Sequence, residues 1–258
     1  MAADNIGNKT ADQAEVGDFY MSDGTLVGKG FTLTKRQKES CIGIVFSANA
    51  TKAGIEAQRE LGREAKGLVM ALTDAAAAAP WGVFGIDENR PEEQQNTVQQ
   101  MYEDYEGFCH TINILDKGED EVENDYPAFY KTMRYGHNRQ TRAYAPSLRL
   151  TTGWFMPSVG QWIEFLENLG GLKVSDSEMQ TDEAAISRSG KEILNKINDI
   201  FGNFSAEAVF ANPGYYWTSS EFDSNNACTV FFHGDGYFDF NSTVKNSAVP
   251  RTRCILAF

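Results

Sequence analysis

The chain is poor in cysteine, in basic charge and in long apolar runs, and each shortage removes a class of function. Its four cysteines, Cys41, Cys109, Cys228 and Cys254, are scattered over 258 residues with no C-x-x-C pair. That spacing is neither a disulfide framework nor a zinc pattern. Cys228 and Cys254 fall in strand-like stretches, where they either pair or remain two buried thiols; buried thiols are the expectation. Acidic residues number 36 against 23 basic, a net charge of −13. Nucleic acid binding rests on cationic neutralisation of phosphates, so no nucleic acid partner is expected. Docking on anionic membranes is disfavoured for the same reason. No run of about 18 apolar residues occurs, so no membrane span is expected. The opening MAADNIGNKTADQAEVGD has no basic-plus-apolar signal organisation. Either the protein is not exported by that route or a signal has been trimmed.

Catalytic signatures are also scarce. His110, His137 and His233 lack any ligand spacing such as H-E-x-x-H. Cys109 and His110 are neighbours, but a dyad needs side chains that meet in space; the pair reads as a loop or a strand entry. Gly28-Lys29-Gly30 lacks the spacing of a phosphate-cradling loop. Nothing singles out two carboxylates as a glycosidase pair. No catalytic residue, metal or cofactor is expected. No solenoid-period repeat and no long linker appear.

What the sequence does have is a patterned C-terminal region, Gly214 to Phe258. From Ala227 to His233, Cys228, Val230 and Phe232 alternate with Thr229, Phe231 and His233. Gly234-Asp235-Gly236 reads as a turn, since glycine takes positive φ and aspartate tolerates it. Phe238 and Phe240 then alternate with Tyr237, Asp239 and Asn241. Side chains in a strand point to opposite faces every second residue. The spacing predicts a hairpin with one apolar face, assigned to the core, and one mixed face. The mixed face is either an ordinary solvated surface or a binding face. Phe231 and Tyr237 favour binding, because rigid rings beside short polar groups suit recognition.

Upstream, Met1 to Val16 reads as a flexible tail and 17–258 as a single domain. Gly17–Met21 reads as a short strand followed by a turn at Ser22–Gly24, Cys41–Phe46 reads as a buried strand, and Leu68–Leu72 is a further short apolar run. The alanine tract Ala75–Ala79 reads as a loop or a single helical turn. Helices are predicted from Arg90 to about Glu106, from Tyr126 to Tyr135, and from about Glu183 to Phe201; Asp116–Asp125 is predicted as a surface loop. The clearest helix follows Ser158, with Gln161 at the capping-box spacing and Trp162, Phe165, Leu166 and Leu169 on one face before Gly170-Gly171. Strands near both ends with helices between give an α+β class.

Three elements carry a resemblance. They are Gly153-Trp154-Phe155-Met156-Pro157-Ser158, Tyr216-Trp217-Thr218-Ser219-Ser220-Glu221, and Arg251 to Phe258. In this order they resemble C-type-lectin-fold proteins of the DUF1566 and Fibrobacter major paralogous domain type, including variable ligand-binding proteins of diversity-generating retroelements. Gly17–Thr25 and Ile42–Phe46 look like the opening of Bacteroides-type members. The resemblance implies a C-type-lectin-like fold of small twisted antiparallel sheets with flanking helices. It also implies a non-enzymatic, surface-displayed binding protein, adhesin-like, on a cell or a virion. Its partner would be a protein or glycan ligand on a cell surface. The ligand residues it implies are Phe222, Asp223, Asn225, Asn226, Phe231, His233, Asp235, Tyr237, Asp239 and Asn241. Trp154, Pro157, Trp162, Trp217 and Arg253 would support the fold.

Retroelement diversification excludes Lys, Glu, Gln, Met and Trp from altered codons, and Phe222 to Val244 contains none of the five. Strands and turns are also naturally poor in most of these, so both explanations stay open. Calcium-dependent sugar binding is disfavoured, because lectins of this fold that do it use Glu-Pro-Asn or Gln-Pro-Asp with Trp-Asn-Asp, whereas this chain has Asn212-Pro213-Gly214 and no Trp-Asn-Asp. Two alternatives remain: a structural fimbria or surface module, and a formylglycine-generating-type enzyme using Cys228 and Cys254. The last is the weaker, since neither cysteine has recognisable active-site surroundings.

Overall fold

The computed structural model describes residues 5–88, 97–180 and 186–258, the stretch 186–189 through its backbone. In chain order its strands are β1 (Phe19–Met21), β2 (Leu26–Val27), β3 (Cys41–Ser47), β4 (Leu68–Ala76), β5 (Ile186–Ser189), β6 (Gly214–Glu221), β7 (Asn226–Phe232), β8 (Tyr237–Val244) and β9 (Thr252–Ala257). The helices are α1 (Lys35–Ser40), α2 (Ile55–Leu61), α3 (Val98–Glu103), α4 (Gly107–Leu115), α5 (Glu119–Asp125), α6 (Pro127–Arg134), α7 (Val159–Phe165), α8 (Asp176–Met179) and α9 (Lys191–Phe201). The strands form two sheets, ordered β2-β1-β3-β4-β9 and β5-β8-β7-β6, with antiparallel neighbours throughout. The fold is α+β.

The run CIGIVF becomes β3 because both of its faces are covered. Ile44 and Phe46 enter the main core between the sheets, while Ile42 and Val45 enter a second core on the opposite face. Helix α7 lies in the main core with all seven residues buried. Its start is a capping box: Ser158 Oγ accepts from Gln161 N, and Gln161 Oε1 accepts from Ser158 N at 3.0 Å. Trp162 is fully buried against Phe165, Phe210 and Tyr216. A π-helical turn, Leu166–Gly170, follows, and Gly171 at φ 82° closes it in the left-handed region that glycine tolerates. Among residues 5–16, Lys9 bridges to Leu26 of the first sheet and its Nζ bonds the buried Asp18 at 2.5 Å.

Several local expectations need correction. Ala75 and Ala76 belong to β4, because Ala76 pairs with Thr252 of β9. Cys109 and His110 lie within α4, not in a loop or strand entry. The acidic stretch forms α5; its first turn, Glu119 to Glu121, matches the helix dipole and Val122 is buried. The helix expected from Glu183 begins at Lys191, behind strand β5; Glu183 itself lies outside the described residues. Of the helix expected from Arg90, the described part is α3, capped by Thr97, while Arg90 and Pro91 lie outside.

Candidate functional site

The hairpin of β7 and β8 has its apolar face inward: Cys228, Val230, Phe232, Phe238 and Phe240 are all buried in the main core. The opposite face is set by register, with Thr229 paired to Asn241 and Phe231 to Asp239. On this face Phe231 stacks on Tyr215 of β6, ring centroids 3.9 Å apart and planes at 22°. His233 lies on the other side of Phe231, also at 3.9 Å. His233 Nε2 pairs with Asp239 Oδ2 at 2.8 Å. Burial pushes the Tyr215 phenol up in pKa, and the charge of Asp239 pushes it the same way. The result is a ring ladder, Tyr215–Phe231–His233, closed by a carboxylate. At the tip, Asp235 is exposed and accepts from Tyr237 N at 3.1 Å. Tyr237 is 52% exposed, and Asn241 is exposed farther along β8.

The remaining expected residues sit at the other end of the hairpin. Asp223 Oδ1 accepts from Asn225 N, Asn226 N and Asn226 Nδ2, at 2.7, 2.7 and 3.0 Å. Its carboxylate therefore shapes the loop. Phe222 is half-buried and packs on the main core. Asn225 and Asn226 are partly exposed. Strand β7 separates this loop from the tip by roughly 20 Å at about 3.4 Å per residue. Between them the same face is closed: Ala227, Trp217 and Trp81 share a third core with helices α4 to α6, and Thr229 is buried. The ten residues thus form two patches, a tip and a loop, with Phe231 near the tip and Asn241 at mid-strand opposite Thr229.

Tyr215 is a member of the tip that the sequence reading missed, since only strand register places it beside Phe231. The loop has missed neighbours too. Gly85 N donates to Ser224 O at 2.9 Å, which sets the exposed Phe84 and Ile86 beside it. A short apolar segment far away in sequence carries no signal of that placement.

The supporting residues are buried as assigned. Trp217 Nε1 donates to Ala79 O at 2.7 Å, and Trp154 Nε1 to Tyr144 O at 2.8 Å. Arg253 is fully buried, donates to Asp74 Oδ1 at 2.7 Å, and lies over the Phe210 ring at 3.8 Å. Cys228 and Cys254 are free thiols in different sheets. Burial pushes the thiols of Cys41 and Cys254 up to about 12 and that of Cys228 well above its ordinary range.

No family model and no curated protein matches the chain. Among solved structures, a fimbrial protein from Bacteroides ovatus ATCC 8483 matches with a TM-score of 0.59 and 19% sequence identity. The chain shares that protein's fold. The match covers 95% of this chain and 49% of the other, so this chain spans about half the length of the fimbrial protein. The three sequence elements that resemble the DUF1566 type and the retroelement proteins have no matching family model behind them. Among the described residues, no helix is long and apolar enough to cross a membrane.

Proposed function

We propose that the chain is a non-enzymatic surface module of a fimbria-type assembly, with a C-type-lectin-like fold. The observation that carries this reading is the fold likeness to a fimbrial protein over 95% of the chain. The reading as a structural or display module is favoured over that of a dedicated receptor binder, because the likeness is to a fimbrial protein. High thiol pKa values and burial weigh against cysteine chemistry, since the thiolate is the reactive form. Immunogold labelling of cells of the native source tests the proposal. Label along or at the tip of filaments supports it; label confined to the cell interior overturns it.

A second reading gives the module a ligand of its own, a protein or glycan on a cell surface, held at the hairpin tip. The exposed Tyr237, beside the His233–Asp239 pair, favours it. A pure spacer gains nothing from an exposed ring that promotes association. Retroelement diversification of Phe222 to Val244 is the finer form of this reading. Sequencing the 3′ end of the gene across a native population separates the two: substitutions concentrated at Asn225, His233, Tyr237 and Asn241 favour diversification, and a uniform 3′ end rules it out.

A further inference from the structure

Loop 222–226 is anchored from beneath by an ion pair with no exposed surface on either side chain. Glu221, at the end of β6, and Lys245, just after β8, bond each other there. Lys245 Nζ also donates to Ile86 O at 2.6 Å and lies 5.1 Å from the centroid of the Trp81 ring. The Glu221 carboxylate accepts from Glu88 N at 3.0 and 3.2 Å. Main-chain bonds complete the arrangement. Trp81 N and Gly82 N donate to Lys245 O at 2.8 and 3.2 Å; Lys245 N donates to Asn225 O, and Gly85 N to Ser224 O, both at 2.9 Å. Glu88 is held in turn by Lys117 Nζ at 2.9 Å and by the Tyr126 hydroxyl.

Withdrawing two opposite charges this far from water costs about as much as their attraction returns, so an apolar pair of similar volume often serves stability equally well. What an apolar pair cannot do is hold a direction. Here both charged groups reach across to the main chain of residues 86 and 88, a segment more than a hundred residues away in sequence. We propose that Glu221 and Lys245 are positioning residues that lock segment 81–88 against loop 222–226, so that the two present one fixed surface. On it Phe84 and Ile86 are 53% and 46% exposed. The functional weight of that surface rests on the reading of loop 222–226 as part of a binding face. The lock itself does not.

Hydrogen exchange on the full chain, read by mass spectrometry and by amide NMR, tests the lock without any ligand. In the native protein the amides of Gly85, Glu88 and Lys245 should exchange within about threefold of one another once corrected for intrinsic rates, as one opening unit. The double variant Glu221→Leu with Lys245→Met should keep its urea midpoint, yet exchange at least tenfold faster at these three amides and at Gly82. Glu221→Gln keeps the shape but leaves the Lys245 charge buried and unpaired, so, unlike the double variant, it should lower the urea midpoint as well as speed exchange at these amides. Independent exchange of Gly85 and Lys245 in the native protein overturns the proposal, as does native protection in the double variant. The native measurement stands even if the double variant does not fold. Loss of the ligand-binding reading leaves this result untouched, and failure here leaves the Tyr237 tip as it is.

Discussion

Tyr215 and Phe231 stack face to face, with centroids 3.9 Å apart, and His233 covers the other face of Phe231. Phe231 is therefore in close contact with two neighbouring rings, and all three side chains are only partly exposed. The pattern of the hairpin alone suggests that Phe231→Ala spares stability. The stack argues otherwise. Losing a stacked pair and a half-buried ring should cost about 1–2 kcal/mol, read as a lower urea midpoint. Phe231→Leu should recover part of it.

Among the described residues Tyr237 stacks on no other ring, and it should behave differently. Tyr237→Ala should leave stability within about 0.5 kcal/mol, as for an ordinary surface change. If the tip binds a ligand, the same variant should weaken attachment of the purified protein to cells of its native environment. A large drop in melting temperature would mean that the ring has a structural role.

The thiols give a direct count. Cys41, Cys228 and Cys254 are buried and Cys109 is partly exposed on α4. A native-state thiol titration should show one reactive group, and the denatured chain four. Two fast thiols in the native protein, with copper binding, would revive the formylglycine-generating reading.

Much of the fold is legible in the sequence where one physical rule acts alone. Val230, Phe232, Phe238 and Phe240 alternate because a strand has period two, and the structure buries all four. Ser158 and Gln161 announce a helix start because their side chains satisfy orphan amides locally. Where a distant partner decides, the signal vanishes. Ala75 and Ala76 have no preference for a strand, and β9 supplies the pairing. Thr229 reads as outward, and it is, yet the core around Trp81 and Trp217 covers that end of the sheet. For the same reason one expected binding face divides into two patches, and Tyr215 joins the tip unannounced.

The capping box and the tryptophan behind it make a quantitative pair. Ser158→Ala should cost about 1 kcal/mol, since Ser158 Oγ is the acceptor for the first turn of α7. Trp162→Ala should cost about 3–5 kcal/mol, because its ring is fully buried and Trp162 Nε1 donates to Trp217 O at 3.2 Å. Urea unfolding measures both, and equal costs would argue against this division of roles.

Glu167 should give stability a pH dependence. Burial raises its pKa above the usual carboxylate range, and the charge of Glu164 adds to the effect. A carboxyl with a raised folded pKa contributes stability that is full below the unfolded value and is lost as pH rises through the folded one. Glu167→Gln should remove that loss, so the variant should gain melting temperature relative to the native protein on going from pH 4 to pH 8. A constant difference across that range would contradict the assignment.

The pairing of β4 with β9 joins residues 68–76 to residues 252–257. A contact that spans so much chain forms late, because the whole intervening loop must close first. Until then the outer edge of β4 presents an apolar strand with no neighbour, the kind of edge that recruits other chains. The vulnerable moment is therefore the interval before strand β9 is available. A holdase that shields β4 during synthesis or transit would raise the yield of folded protein without changing its final stability.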